Sequence, residues 1–91
     1  MKNQIADLLL ATLATCFKKG VLRETALPDY VIEVPNNQDH GHFATNLALT
    51  LASSQKRSPR EIAGVLVEHL RARDSLLERV EIAGPGFINF T

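Results

Sequence analysis

Several things this chain lacks narrow it before any motif is read. A single cysteine, Cys16, leaves no partner for an internal disulfide, which fits a reducing compartment. Ten basic residues are matched by ten acidic ones. A neutral chain lacks the long-range field that draws a freestanding protein to nucleic acid, so any such contact is expected to be local, weak and assisted. No run of about 20 apolar residues exists, and the apolar stretch after Met1–Asp7 is too short and too amphipathic for a signal peptide. The expectation is a cytoplasmic, soluble protein with no membrane partner. There is also no glycine-rich phosphate loop with a signature lysine, so no nucleotide cradle and no cofactor are expected in these residues. Internal repeats and low-complexity segments are absent. What remains is ordinary for a globular domain, with 45% hydrophobic and 22% charged residues. At 91 residues, one small domain forms, burying roughly 60–65% of its unfolded surface.

The periodicities then place the elements. Ile5, Leu8, Leu9, Thr12, Leu13 and Cys16 recur at three- and four-residue spacing, predicting a helix over 3–19. Lys18 and Lys19 suit its C-terminal dipole, and Gly20 is a stop. A connector through Leu27-Pro28-Asp29 leads into a strand at Tyr30–Val34, with Tyr30, Ile32 and Val34 on one side. Pro35 and the polar run 36–39 end it. Residues 41–44 add a possible short strand, and from Thr45 the alanines and leucines favour a second helix. Residues 53–58 read as a polar connector. Ser58-Pro59-Arg60-Glu61 is a helix start with a capping box, and Ile62, Val65, Leu66, His69 and Leu70 give the buried stripe that follows. The segment 80–91 reads as two short strands joined by Gly84-Pro85-Gly86, in which proline fixes one φ and the glycines accept unusual ones.

Four groups of residues carry possible chemistry. If Ile88 and Phe90 face the core, Phe87 and Asn89 face out. An exposed ring two residues from an exposed amide is a minimal kit for one unpaired base, a surface to stack on beside a hydrogen-bonding hand. The plainer reading is a ring tucked under a loop and an ordinary surface amide. Lys56, Arg57 and Arg60 surround the capped helix start, either as a solvated patch or as phosphate contacts aided by the helix amides. Asp39, His40 and His42 have a spacing that can align two imidazoles, but His69 is the only further ligand candidate, and no metal site is expected. Cys16 falls on the apolar stripe and reads as an inert core thiol.

Three segments in order, 41–49 (Gly-His-Phe-Ala-Thr-Asn-Leu-Ala-Leu), 58–63 (Ser-Pro-Arg-Glu-Ile-Ala) and 80–90 (Val-Glu-Ile-Ala-Gly-Pro-Gly-Phe-Ile-Asn-Phe), resemble the N-terminal additional domain of arginyl-tRNA synthetase. The resemblance covers essentially residues 1–91 as that one domain. It implies an α+β, two-layer fold with an antiparallel sheet, an α-β-β-α-β-β core and helices packed on one face. It further implies contact with the D-loop of arginine tRNA, with Phe87 and Asn89 at the positions that address a D-loop base. The ATP- and Mg-dependent ligase chemistry would belong to a catalytic domain of the same parent chain, whose ATP-binding signatures are missing here. That domain and the anticodon-binding domain are expected to lie outside this chain, and no catalytic residue is expected within it. The pattern departs at His42, where the family commonly has an acidic residue, so no role is carried to that side chain. An alternative is a freestanding small α/β module that binds protein or peptide along a sheet edge or through Phe87.

Overall fold

The computed structural model describes residues 2–34, 43–73 and 80–90. Within them the chain forms α1 (Lys2–Lys19), β1 (Ile32–Glu33), β2 (Phe43–Thr45), α2 (Leu47–Gln55), α3 (Pro59–Arg73), β3 (Val80–Ala83) and β4 (Phe87–Phe90). The strands make one antiparallel sheet in the order β1-β2-β4-β3. The helices cover one of its faces, giving the expected α+β, two-layer architecture.

The α1 stripe is buried as its spacing dictates, at Ile5, Leu9, Thr12, Leu13 and Cys16. The helix stops at Gly20, whose φ of 75° is open to glycine without strain. The amides of Val21 and Leu22 both donate back to the Cys16 carbonyl. That recoil returns Leu22 to the core, where it is 2% exposed. The connector is then held by a buried amide. Gln55 Nε2 donates to the Arg23 carbonyl at 2.7 Å, and the Arg23 amide donates to Gln55 Oε1 at 2.8 Å. A side chain here imitates a strand partner and satisfies both backbone groups of Arg23.

Four boundaries differ from the sequence expectation, each for a visible reason. Strand β1 is confined to Ile32–Glu33 rather than Tyr30–Val34. Side chains replace the ladder at Val31: its amide donates to Asn46 Oδ1, and its carbonyl accepts from Thr45 Oγ1, both at 2.8 Å. Val34, past the last ladder pair at Glu33, is exposed rather than sharing the buried side of Ile32. The short second strand exists but runs Phe43–Thr45, while residues 41 and 42 lie outside the described residues. Thr45 is buried in that strand, and its hydroxyl accepts from the Leu47 amide, so α2 begins at Leu47 rather than Thr45. Ala44 thereby belongs to the sheet, within the strand expected over 41–44. Finally, α2 continues through Ser53 and Ser54 to Gln55, where a connector was expected. Ser54 Oγ donates to the Leu51 carbonyl and Thr50 Oγ1 to the Leu47 carbonyl. The hydroxyls are satisfied inside the helix and do not compete with it. The left-handed Lys56 (φ 54°) ends it.

Helix α3 starts as expected, with Ser58 Oγ accepting from the Glu61 amide at 3.2 Å. The Glu61 carboxylate turns instead to Arg57 Nε at 3.0 Å. Ile62, Ala63, Leu66, Val67 and Leu70 are buried, whereas Val65 and His69 sit at the margin. They pack with Leu47, Leu51, Val80, Ile88 and Phe90 in one continuous core. Ile88 alone, fully buried, is worth about 1.5–3 kcal/mol of apolar transfer.

Candidate nucleic-acid interface

The alternation in the last hairpin works as its residue types require. Ile88 and Phe90 are buried, while Phe87 is 37% exposed and Asn89 is half-buried. The two outward residues lie on the sheet face that the helices leave open. Strand β4 has neighbours on both sides, β2 and β3; Asn89 is paired on both, whereas Phe87, at the start of the strand, is paired on the β3 side alone. Ring and amide are one strand period apart, about 6.6–7 Å.

Register supplies the surroundings. Asn89 pairs with Ala44 on β2 and Glu81 on β3, and Phe87 pairs with Ala83. Each of the two thus has one small alanine beside it, Ala44 next to Asn89 and Ala83 next to Phe87, which leaves room there above the sheet for a planar group. Glu81 and Ala83 were not singled out as site residues. Their outward alternation, combined with a three-residue turn that opposes 83 to 87 and 81 to 89, was the signal that could have found them.

The turn beneath Phe87 is seated on the start of α3. A Cβ built on Gly84 would touch Phe87 Cδ2 at 3.9 Å. Gly86 has φ 148°, and a Cβ there would lie 2.6 Å from Pro59 Cβ and 3.0 Å from the Pro59 carbonyl carbon. Arg60 Nη1 donates to the Gly84 carbonyl. Glycine is therefore needed at 86 for close approach to the helix, and Arg60 clamps the turn from the side.

The three expected cations divide. Arg60 is brought to the Phe87 turn. Lys56 is exposed at the end of α2. Arg57 points to the other side of the junction, donating through Nη1 to the Val21 carbonyl at 3.0 Å while its Nε meets Glu61. Of the metal candidates, residues 39, 40 and 42 lie outside the described residues. His69 is half-buried with Nδ1 2.8 Å from the Val65 carbonyl oxygen, an arrangement in which Nδ1 carries the proton. Among the described residues, no three His, Cys, Asp or Glu side chains gather where they could share a metal ion. Cys16 is fully buried, and burial pushes its thiol pKa up, with Lys19 pulling weakly the other way. A protonated, inaccessible sulfur is a poor nucleophile. No helix among the described residues is long and apolar enough to cross a membrane.

Comparison with known proteins shows the family. Residues 3–91 match the model of the arginyl tRNA synthetase N terminal domain. An arginine–tRNA ligase of Geotalea uraniireducens (strain Rf4) is 44% identical over 90 residues, and one of Desulfosudis oleivorans is 47% identical over 90 residues. One of Moorella thermoacetica is also 47% identical over 90 residues. Each alignment takes in 99% of this chain but 16% of the relative. The chain therefore spans about a sixth of the length of these curated relatives, and it belongs to the arginyl tRNA synthetase N-terminal domain family.

Proposed function

We propose that residues 1–91 form the tRNA-binding N-terminal domain of an arginine–tRNA ligase, and that Phe87 and Asn89 hold one unpaired base of the tRNA D-loop. One observation carries this reading. An inner strand of the sheet presents a ring and an amide on its open face, each with an alanine on one side, with a cation at the adjoining turn. A base laid on the Phe87 ring gains stacking without regard to its identity, while the Asn89 amide offers both donor and acceptor to the base edge. Lys56 and Arg60, with the N–H groups of Arg57 not used internally, contact neighbouring phosphates. Activation of arginine with ATP and Mg, and its transfer to tRNA, belong to a catalytic domain of the longer parent chain. This domain supplies binding and orientation in the cytoplasm, and no catalytic group.

The alternative of a freestanding peptide-binding module finds a poor platform at the β1 edge. That strand is two residues long, and the Val31 amide beside it is already taken by Asn46. A template for strand addition needs a longer row of open backbone groups.

The test is tRNA affinity of the full-length parent with Phe87→Ala. Loss of about 1–3 kcal/mol, the worth of one stacked base, is expected with the fold intact. Unchanged affinity in a correctly folded variant contradicts the proposal.

A further inference from the structure

The neutral total hides a segregation of charge that only the fold makes visible. Arg57 Nη1 reaches the Val21 carbonyl, two residues past the end of α1. Gln55 clasps the backbone of Arg23 through both of its amide atoms. These bonds draw the C-terminus of α1, the connector after it and the α2–α3 junction into one end of the molecule. Segments 17–25 and 55–61 thus meet, and they hold Lys18, Lys19, Arg23, Lys56, Arg57 and Arg60 against only Glu24 and Glu61. Glu61 is already paired with Arg57. Lys18, Lys19, Arg23 and Lys56 are all exposed. The open sheet face, by contrast, carries Glu33 and Glu81 beside the alanines and Asn89.

We propose that this end of the domain is a second RNA contact, a track for the sugar-phosphate backbone formed by Lys18, Lys19 and Arg23 together with Lys56. The inference rests on the reading that the chain binds tRNA. It adds three residues that a linear reading kept apart, since 33 positions separate Arg23 from Lys56 in sequence but Gln55 joins their neighbourhoods. The chemistry is that of a polyanion with no sequence to be read. The side chains are flexible cations; the Phe17 ring packs against the core and the Gln55 amide is taken up by Arg23, so neither addresses a base. The track lies on the Val21 side of the α3 start, apart from Arg60 and the turn under Phe87, so it would hold a stretch of backbone other than the one beside the stacked base. Glu33, exposed on the open sheet face, would repel a backbone laid across the sheet itself.

The experiment measures tRNA binding by the full-length parent as a function of salt. It compares wild type, Phe87→Ala, and the combined variant Lys18→Gln, Lys19→Gln, Arg23→Gln. Each lost phosphate contact lowers the slope of log affinity against log salt by about 0.7–0.9, so the combined variant should lose roughly 2–3 units, equally for cognate and non-cognate tRNA. Phe87→Ala should weaken binding with the slope unchanged. If the combined variant melts early, Lys18→Gln alone, expected to lose about 0.7–0.9 units, carries the test. An unchanged slope in a folded variant overturns the track. If Phe87→Ala still weakens binding in that case, the base site stands without it. A lost slope with no effect of Phe87→Ala leaves the track and removes the base site. An unchanged tRNA slope with lost retention on a polyglutamate resin would mark an acidic protein surface as the partner and overturn the RNA assignment.

Discussion

Replacing Gly86 by alanine should uncouple the Phe87 turn from α3. Two costs add. The φ of 148° belongs to a region that side chains rarely occupy, at about 1–3 kcal/mol for an L-residue. The new methyl would also stand 2.6 Å from Pro59 Cβ and 3.0 Å from the Pro59 carbonyl carbon. Those neighbours are ring and backbone, not the end of a flexible chain, so relief requires moving the hairpin or the helix start, at about 1–3 kcal/mol. The sum of about 2–6 kcal/mol is large beside the 5–15 kcal/mol that holds a small domain together. At about 4–8 °C per kcal/mol, even the lower figure moves the melting temperature down by roughly 8–16 °C. Calorimetry of the 91-residue chain reads this directly. A melt within about 2 °C of wild type, half the shift expected from a single kcal/mol, would refute the seating of the turn on Pro59.

Other expectations follow from burial and bonding. Ile88→Ala should destabilise the domain by about 2–5 kcal/mol, whereas Phe87→Ala should cost well under half of that, because its ring is partly in water; matched urea melts compare the two. Thr12→Val should raise stability by about 1–2 kcal/mol, since the Thr12 hydroxyl is fully buried and has no hydrogen-bond partner among the described residues; a lower midpoint would reveal a hidden one. Cys16 should resist thiol reagents in the native state and react on unfolding. Its folded pKa lies above the unfolded one, so its contribution to stability is full below the unfolded value and is lost as pH climbs towards the folded value. Rapid labelling of the native chain, or stability that stays flat over that alkaline window, would show the sulfur exposed.

Much of this was legible in the chain itself because local patterns and global packing agree. The α1 stripe, the Ser58 cap and the in-out order of Phe87, Ile88, Asn89 and Phe90 each follow from residue spacing. The boundaries that shifted are those where a side chain took over a backbone role. Asn46 and Thr45 cut β1 short, and the self-bonding of Thr50 and Ser54 prolonged α2. No periodicity encodes such substitutions. The division of the cations was likewise hidden, because Arg57 and Arg60 differ by three in sequence yet bond to Val21 and Gly84 on separate sides of the α3 start. Residues 35–42, with the histidine pair at 40 and 42, lie outside the described residues.

The central claim, that Asn89 reads the base stacked on Phe87, is tested most directly by a double-mutant cycle in the full-length parent. One axis is Asn89→Ala, and the other is substitution of each unpaired D-loop base of arginine tRNA in turn, with kcat/KM for aminoacylation as the readout. At one D-loop position the penalty for changing the base should be present in wild type and largely vanish in Asn89→Ala, giving a coupling of about 0.5–3 kcal/mol. Penalties that simply add at every position, with Asn89→Ala correctly folded, would contradict the assignment of this strand to the tRNA.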